Sequence, residues 1–318
     1  MRRIRAQWIG ACLLMLFSSP LWAQSISPSG PAAADTAVGR VQEAPVNTLP
    51  AARKFWWNED WYERGILETP VNHEVAERET SYVNPADQTE VPAVLFRPRG
   101  SERFPGVLFQ HGRRGLDDLV RRLARRIAAR GFVVLAPDVY AARFIARYPV
   151  EHLDATETDV SAGVDYLLAQ PDVSTSKICL VSHTRGGYYT LKVATRLGRQ
   201  EADVACYVSS YPHWQHPAAP EPMQVYRYDT DVEKLTIPAL IFIGEYEQYQ
   251  RRRSIETAVS AMKQSGKDVR LIIYPGVGRG FDFRPENVRT FADDLASKDM
   301  SRRMAAFMRK HLLPSLKR

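Results

Sequence analysis

A short turn that carries a hydroxyl group follows one of the apolar segments of the chain. Ser182-His183-Thr184-Arg185-Gly186 comes directly after the run Ile178–Val181 and before a helical pattern. A strand, a tight turn and a helix in this order form a nucleophile elbow, the strained turn that presents a nucleophilic side chain for acyl transfer. The elbow needs small residues two places before and two places after the nucleophile, and Ser182 and Gly186 meet that need. The nucleophile position therefore falls on Thr184; the alternative is an ordinary tight turn with a locally bonded hydroxyl.

A second turn follows the apolar run Gly106–Gln110 and reads His111-Gly112-Arg113-Arg114-Gly115. Backbone N–H groups in such a loop can stabilise the negative charge that develops on a carbonyl oxygen during acyl transfer. We therefore assign His111, Gly112 and Arg113 to an oxyanion or ligand pocket. We expect His111 to be a buried residue that orients the loop rather than a catalytic one.

Strands and helices in alternation must position these turns. Continuous apolar strands between amphipathic helices predict an α/β fold with a mostly parallel sheet covered on both faces. Ligands in such sheets bind beyond the carboxyl ends of the strands, where both turns fall. The predicted strands are Glu74–Tyr82 and Val91–Arg97 as an antiparallel pair, then Gly106–Gln110, Phe132–Ala136, Ile178–Val181, Val204–Ser209, Ala239–Ile243 and Val269–Tyr274. The predicted helices are Asp117–Arg130, Thr156–Ala169, Gly187–Leu197, Ser254–Lys263 with Ser254 as its cap, and Met300–Leu312.

Five motifs follow one another from about Val91 to the C-terminus. They are Gly106–Gln110 with His111-Gly112, the block Gly131–Tyr140 with its Ala-Pro-Asp-Val-Tyr end, the elbow, Ile237-Pro238-Ala239 with Gly244–Glu247, and Tyr274-Pro275-Gly276 with Gly280-Phe281. This succession resembles the dienelactone hydrolase family. The resemblance implies an α/β-hydrolase fold, with helices on both faces of the central sheet, and membership among carboxylic ester or lactone hydrolases.

The active residues of that family are a Cys or Ser nucleophile, an Asp and a His. By position, the resemblance assigns these roles to Thr184, Glu247 and Arg279, so all three residues depart from the pattern. Threonine can serve as a nucleophile when an adjacent base assists it, and glutamate can orient a partner as aspartate does. Arginine cannot be the base, because the pKa of a guanidinium group lies so far above neutral pH that its neutral fraction is negligible.

A relocated base is the alternative to a missing one. His213 and His216 follow the strand Val204–Ser209 at the same edge of the sheet, whereas His183 lies at a position that normally points away from the reaction. Two functional hypotheses result. The first is a weak or inactive hydrolase with a degenerate triad that binds a small ligand. The second is an active ester or lactone hydrolase with Thr184 as nucleophile and a relocated histidine base. A third, an interaction protein that uses the aromatic stretch Trp56–Tyr62, rests on composition alone.

Arginines are placed where they would surround the ligand. Arg113, Arg185 and Arg279 all fall at the carboxyl edge of the predicted sheet. The simpler interpretation of Arg279 is an ion pair with Glu247 that replaces the family's Asp–His pair. The sharper hypothesis is an anionic ligand, since guanidinium groups suit carboxylates and phosphates and the helix that follows Thr184 adds partial positive charge.

The N-terminal pattern predicts export to the periplasm or the medium. Three arginines, Arg2, Arg3 and Arg5, precede an apolar run and a small-residue end at Ala23. This is the pattern of a signal peptide over residues 1–23. Residues 24–54, rich in Pro, Ala, Ser and Thr, are predicted to form a flexible leader, and residues 55–318 the domain. The apolar run is too short to span a bilayer comfortably, so we expect no stable membrane insertion.

The charge and the residue types of the chain argue against several other classes of function. The net charge is +7, and removal of the three arginines of the signal peptide leaves +4, which does not indicate a nucleic-acid partner. The sequence has no metal-ligand spacing and no cofactor motif, so we expect no metal and no cofactor. Cys179 and Cys206 fall in neighbouring core strands; export permits a disulfide, but we expect two buried free thiols because bridges between core strands are geometrically awkward.

Overall fold

The computed structural model of the chain describes residues 72–215, 227–285 and 288–313. The predicted signal peptide, the leader, the aromatic stretch and His216 lie outside the described residues. All of the described residues belong to one unit, Lys54–Arg318. Within the described ranges, no helix combines the length and the apolar character that crossing a membrane requires.

Eight strands form one sheet in the order β1-β2-β4-β3-β5-β6-β7-β8. The pairs β1–β2 and β2–β4 are antiparallel, and the other five pairs are parallel. The predicted mostly parallel sheet and its antiparallel first pair are therefore confirmed. The strands are β1 Val75–Val83, β2 Glu90–Pro98, β3 Phe104–Gln110, β4 Val133–Pro137, β5 Val173–His183, β6 Val204–Ser210, β7 Ala239–Tyr246 and β8 Val269–Gly278.

Seven α-helices among the described residues pack beside this sheet. They are α1 Asp118–Ala128, α2 Val139–Ala142, α3 Ala155–Leu168, α4 Gly186–Thr195, α5 Arg199–Ala202, α6 Tyr249–Gln264 and α7 Phe291–Leu312. The central strands are largely buried; all five residues of β4 are buried, whereas residues 174–177 of β5 are mostly exposed. This burial on both faces explains why these strands are continuous apolar runs in the sequence rather than alternating ones.

Two helices begin earlier than the sequence predicts. The helix α6 starts at Tyr249, so Ser254 is an interior residue whose hydroxyl donates to the Arg227 carbonyl and not a cap. The helix α7 starts at Phe291 rather than Met300, because Thr290 and Asp293 form a capping box in which each side chain accepts the backbone N–H of the other. In both cases the predicted start follows the apolar periodicity, which begins only after the first turn of the helix.

The expectation of two free thiols is wrong. Cys179 of β5 and Cys206 of β6 form a disulfide. The two residues are paired directly across the parallel strands, and their Cα atoms are 4.7 Å apart, which lies within the range that a disulfide requires. The strand register shifts between Ile178 and Cys179, and this register cannot be read from the sequence alone.

The parallel strands bring the candidate residues to one edge. The strands β3, β5, β6, β7 and β8 end at Gln110, His183, Ser210, Tyr246 and Gly278. The residues that the sequence singled out follow these ends: His111, Thr184, Glu247 and Arg279 come directly after their strands, and His213 comes three residues after the end of β6.

Candidate active site

The elbow has the strained geometry of a nucleophile turn. Thr184 lies between β5 and α4 with φ of 51°, in the left-handed region that a β-branched residue rarely adopts. A Cβ atom on Gly186 would lie 2.5 Å from the Gln110 carbonyl oxygen, so this position accepts glycine only. A Cβ atom on Gly112 would lie 1.6 Å from Thr184 Oγ1. The loop after β3 therefore lies directly against the hydroxyl group of the elbow.

His111 is buried behind this loop. Its Nδ1 atom is 2.8 Å from the Gly112 carbonyl oxygen and its ring packs edge-on against Tyr140. Burial lowers the pKa of His111, while Asp138, whose Oδ1 atom is 3.6 Å from Nε2, opposes that shift. With Nδ1–H donated to the Gly112 carbonyl, the ring fixes the loop conformation. The predicted burial of His111 is observed, and its orienting role stays a prediction.

Arg279 contacts Glu247, which holds the acid position, and the neighbouring His213. Its Nη1 donates to Glu247 Oε1 at 2.9 Å, and its Nη2 contacts Nε2 of His213. The guanidinium group also lies 5.5 Å from the centre of the Tyr211 ring. The side chain of Glu247 has no exposed surface, so this carboxylate is a buried counter-ion of Arg279. The predicted ion pair between Glu247 and Arg279 is present in the structure.

His213 is a neutral, buried imidazole. Burial lowers its pKa well below the usual value, and the positive charges of Arg279, Arg251, Arg185 and Arg113 lower it further. Arginine only donates hydrogen bonds, so Nε2 of His213 accepts the contact from Arg279 and the ring proton is on Nδ1. The lone pair of Nε2 is occupied and is not free to take a proton from a nucleophile.

No histidine of the described residues hydrogen-bonds the hydroxyl of the elbow. Thr184 Oγ1 is buried and has no hydrogen-bond partner there. Both ring nitrogens of His183 are likewise buried without a partner, and burial lowers the pKa of His183 to about 3. Its ring stacks on Phe109, with centroids 5.6 Å apart, so it packs into the core. Among the described residues the site therefore has a nucleophile position without a base.

Arg113 and Arg185 are turned toward a neighbouring loop segment. We call this segment, Tyr148–Glu151, the strap; it lies between α2 and α3. Both guanidinium groups donate to its backbone carbonyls: Arg113 Nη2 to Tyr148 at 2.8 Å, Arg113 Nε to Pro149 at 2.9 Å, Arg185 Nη2 to Val150 at 3.0 Å and Arg185 Nη1 to Glu151 at 2.8 Å. Both arginines nonetheless lower the pKa of His213, so their charges act at the pocket.

Arg251 is a residue of the site that the sequence interpretation missed. It lies in the first turn of α6, and its Nη1 donates to Gln215 Oε1 at 2.5 Å. Burial lowers its pKa to about 10, and the charges of Arg279 and Arg185 add to that effect. The signal that could have revealed it is the run of three arginines that begins four residues after Glu247; periodicity alone assigns such a run to a solvated helix face.

One group of side chains in the described part of the chain has metal-ligand geometry. Ligand atoms of His152, Asp154 and Glu157 all lie within 4.8 Å of one another. These side chains already have partners, since His152 Nε2 lies 2.9 Å from Glu157 Oε1 and Arg196 Nη1 lies 3.7 Å from Glu157 Oε2. The sequence interpretation did not single out this group, and its contacts are those of a hydrogen-bonded, charge-balanced cluster.

The model of the dienelactone hydrolase family matches residues 91–312. The chain belongs to this family. The dienelactone hydrolase resemblance of the five motifs is thereby confirmed, and with it the α/β-hydrolase fold. A protein from Bradyrhizobium sp. named "Probable 2-oxo-3-(5-oxofuran-2-ylidene)propanoate lactonase" is 25% identical over 231 residues, which are 69% of this chain and 89% of that relative.

Solved structures share the fold at low sequence identity. The hyperthermophilic esterase from the archaeon Pyrobaculum calidifontis has a TM-score of 0.57 and 20% identity, and the match covers 75% of this chain and 84% of the esterase. A dienelactone hydrolase-like promiscuous phosphotriesterase from metagenomic libraries has a TM-score of 0.57 and 18% identity, with coverage of 74% and 98%. At these identities the likeness concerns the fold of the dienelactone hydrolase family and not the chemistry of this member.

Proposed function

We propose that this member of the dienelactone hydrolase family binds a small anionic ligand at the carboxyl edge of its sheet and is a weak or inactive hydrolase. One observation carries the proposal. His213 is buried, it contacts Arg279, which is paired with Glu247, and the charges of four guanidinium groups act on it. The four groups are those of Arg113, Arg185, Arg251 and Arg279. Four positive charges against one negative charge leave the pocket cationic, and an anion would offset the repulsion that lowers the pKa of Arg251.

The contacts of Arg279 support the absence of efficient hydrolysis. In the usual arrangement an acid orients a histidine, and the histidine takes the proton of the nucleophile. Here Arg279 donates one hydrogen bond to the carboxylate of Glu247 and another to the Nε2 lone pair of His213. The Thr184 hydroxyl has no base beside it among the described residues. Slow turnover, on the order of 10³–10⁴ above water, is still expected from the oxyanion loop and from binding alone.

An active ester or lactone hydrolase is the alternative proposal. The strained φ of Thr184 and the close approach of Gly112 to its hydroxyl favour it, because such strain persists where the surrounding structure holds it in place. The name of the Bradyrhizobium relative, a lactonase, favours it as well. This alternative requires a base at Thr184, such as a displaced His213 or the undescribed His216.

Hydrolysis of activated esters and lactones by the wild-type domain and by Thr184→Ala separates the two proposals. We expect both proteins to be slow and to agree within about twofold, because a hydroxyl without a base adds little. The alternative predicts that Thr184→Ala lowers kcat by several orders of magnitude, as loss of a nucleophile does in an intact triad. That second result would establish a nucleophile and a base, and would contradict the degenerate triad.

Calorimetric titration with small carboxylates and with inorganic phosphate tests the ligand class. We expect Arg251→Gln to weaken binding about 10-fold or more, since a hydrogen bond to a charged group contributes about 1.5–3 kcal/mol. The matched control is Arg252→Gln on the same helix, because Arg252 is paired with Glu256 at 2.8 Å. Equal losses in both variants would indicate non-specific attraction, and no binding by the wild type would reject the proposal.

We further propose that the protein works outside the cytoplasm, in the periplasm or the medium. The basic, apolar and small-residue succession before Ala23 supports export. The Cys179–Cys206 disulfide supports it too, since structural disulfides persist in oxidising compartments. N-terminal sequencing of the protein recovered from the native cell fractions tests this proposal: a mature form that begins near Gln24 is expected, and a cytoplasmic, uncleaved form would contradict it.

A further inference from the structure

The strap is attached to the domain mainly through arginines. Two guanidinium groups bind four consecutive carbonyl oxygens, those of residues 148 to 151. The backbone N–H of Tyr148 donates to the Arg113 carbonyl at 2.7 Å, and Arg114 donates to the Tyr148 hydroxyl at 3.0 Å. Apart from these contacts, little secures the segment: it has no regular secondary structure and Val150 is 78% exposed.

The backbone of the strap is also strained where it begins. Tyr148 has a φ of 61°, in the left-handed region, although it is not a glycine. Such conformations cost on the order of 1–3 kcal/mol and persist only when neighbouring contacts impose them. Here the neighbouring contacts are those of Arg113 and Arg185. Their loss would let the segment relax away from the pocket.

The same two arginines lack a counter-ion. Neither Arg113 nor Arg185 forms an ion pair with any carboxylate in the described ranges, and carbonyl dipoles do not cancel a full charge. Arg185 is buried. Burial lowers the pKa of Arg113, and Arg185 is the strongest charge acting on it after burial. The charges of two guanidinium groups therefore act on each other in a partly desolvated place, and neither is paired with an anion.

The four arginines of the pocket form two pairs. Arg113 and Arg185 hold the strap, whereas Arg251 and Arg279 lie on the side of Glu247. For Arg251 the strongest charge after burial is that of Arg279, followed by that of Arg185, while Arg113 contributes least among the causes of its shift. His213 lies within reach of the charge of both pairs. The two pairs are thus neighbouring cationic positions with different hydrogen-bond partners: the strap carbonyls for one pair, and Gln215, Glu247 and His213 for the other.

We propose that the ligand of this pocket carries two anionic groups, one bound by Arg251 and Arg279 and the other bound by Arg113 and Arg185 in place of the strap carbonyls. This inference rests on the proposed anion-binding function. A carboxylate or phosphate outcompetes a carbonyl because charge-assisted hydrogen bonds are roughly twice as strong as neutral ones. Binding of the second anionic group releases the strap. A ligand with a single anionic group binds at Arg251 and Arg279 and leaves the strap in place.

The experiment compares dianions with matched monoanions on the full mature chain. Adipate and pyrophosphate carry two anionic groups, the sense in which dianion is used here, and hexanoate and inorganic phosphate are their partners with one anionic group. Affinity is measured by calorimetry, and strap release by hydrogen exchange at the Tyr148 amide. We expect a dianion to bind about 10-fold or more tightly than its partner, given the contribution of a second charge-assisted contact, and to speed exchange at Tyr148. Which dianion does so identifies the ligand as a carboxylate or a phosphate.

Variants separate the release from the binding. Arg185→Gln is expected to speed exchange at Tyr148 without any ligand and to abolish the preference for dianions; Arg113→Gln, a more exposed position, gives the same test if the first variant fails to fold. Arg252→Gln should change neither quantity. Equal affinity for both probe classes, or a dianion that leaves exchange at Tyr148 unchanged, would overturn this inference while anion binding stands. A wild-type protein that binds none of the four probes would overturn this inference and the proposed function together.

Discussion

Replacement of His183 by phenylalanine is expected to remove part of the protein's sensitivity to acid. The imidazole ring is buried, both of its nitrogens lack a hydrogen-bond partner in the described part of the chain, and it stacks on Phe109. A phenylalanine ring can make the same stacking contact. A cavity of about 40 Å³, which His183 lines, leaves room for the larger ring. The substitution therefore exchanges an unsatisfied polar ring for an apolar one.

The magnitude follows from the pKa of about 3 that burial gives His183. In the unfolded chain the pKa of a histidine is about 6.5. Below pH 6.5 the unfolded chain binds a proton that the native protein does not, so the stability due to a neutral His183 is fully present above pH 6.5 and is lost as the pH falls toward 3. The loss is about 1.36 kcal/mol per pH unit, or about 2.7 kcal/mol between pH 6.5 and pH 4.5.

Urea unfolding of the wild type and of His183→Phe from pH 7.5 to pH 4.5 measures this difference. We expect the free energies of unfolding of the two proteins to diverge by about 1.4 kcal/mol per pH unit below pH 6.5, with the variant the less acid-sensitive. His183→Gln should show the same slope from a lower baseline, because it removes the titrating group but keeps a polar side chain. The acid loss due to His111 and His213, whose pKa values are also lowered by burial, remains in all three proteins. Parallel curves for wild type and both variants would refute the reasoning.

Three further perturbations probe the site and its support by urea unfolding. Arg279→Met leaves the carboxylate of Glu247, whose side chain has no exposed surface, buried without a counter-ion. We expect the free energy of unfolding to fall by about 3–5 kcal/mol and the double variant Arg279→Met/Glu247→Gln to recover most of this loss. Additive losses would contradict a coupled pair. The variant Cys179→Ala/Cys206→Ala opens a loop closed over 27 residues, and the chain-entropy estimate is a loss of about 3–4 kcal/mol; an unchanged midpoint would mean that the two thiols are not bonded. Thr184→Gly relieves the φ of 51° and is expected to raise the free energy of unfolding by about 1 kcal/mol, whereas a loss of stability would mean that the threonine side chain contributes contacts that outweigh its strain.

Most of the sheet could be predicted because its strands are buried on both faces. A strand such as Val133–Pro137 is apolar without interruption, and the alternation of such runs with amphipathic helices allows few topologies. The carboxyl edge follows from the same alternation, and so do Thr184, Glu247 and Arg279 as neighbours of one pocket. Strand ends and helix starts were less accurate, as Tyr249 and Phe291 illustrate, because polar first turns carry no apolar periodicity.

What the sequence could not provide depends on contacts between distant segments. The disulfide required the register between β5 and β6, which shifts at Cys179. The direction of Arg113 and Arg185 depends on where the loop after α2 runs, and that loop has no periodic pattern. Arg251 reaches the pocket because its helix begins five residues before the predicted start. The sequence identifies these residues, but it does not identify the groups that they contact in the fold.

The position of the disulfide has a consequence for native-state fluctuations. It joins β5 and β6 a few residues before the turns that carry Thr184 and His213. Two strands tied covalently in the middle of a sheet cannot separate independently, so they form one cooperative opening unit, a foldon. Partial unfolding that reaches one of these turns must therefore involve the other. Any motion that opens the pocket without global unfolding has to come from its periphery, where the strap and the first turn of α6 lie.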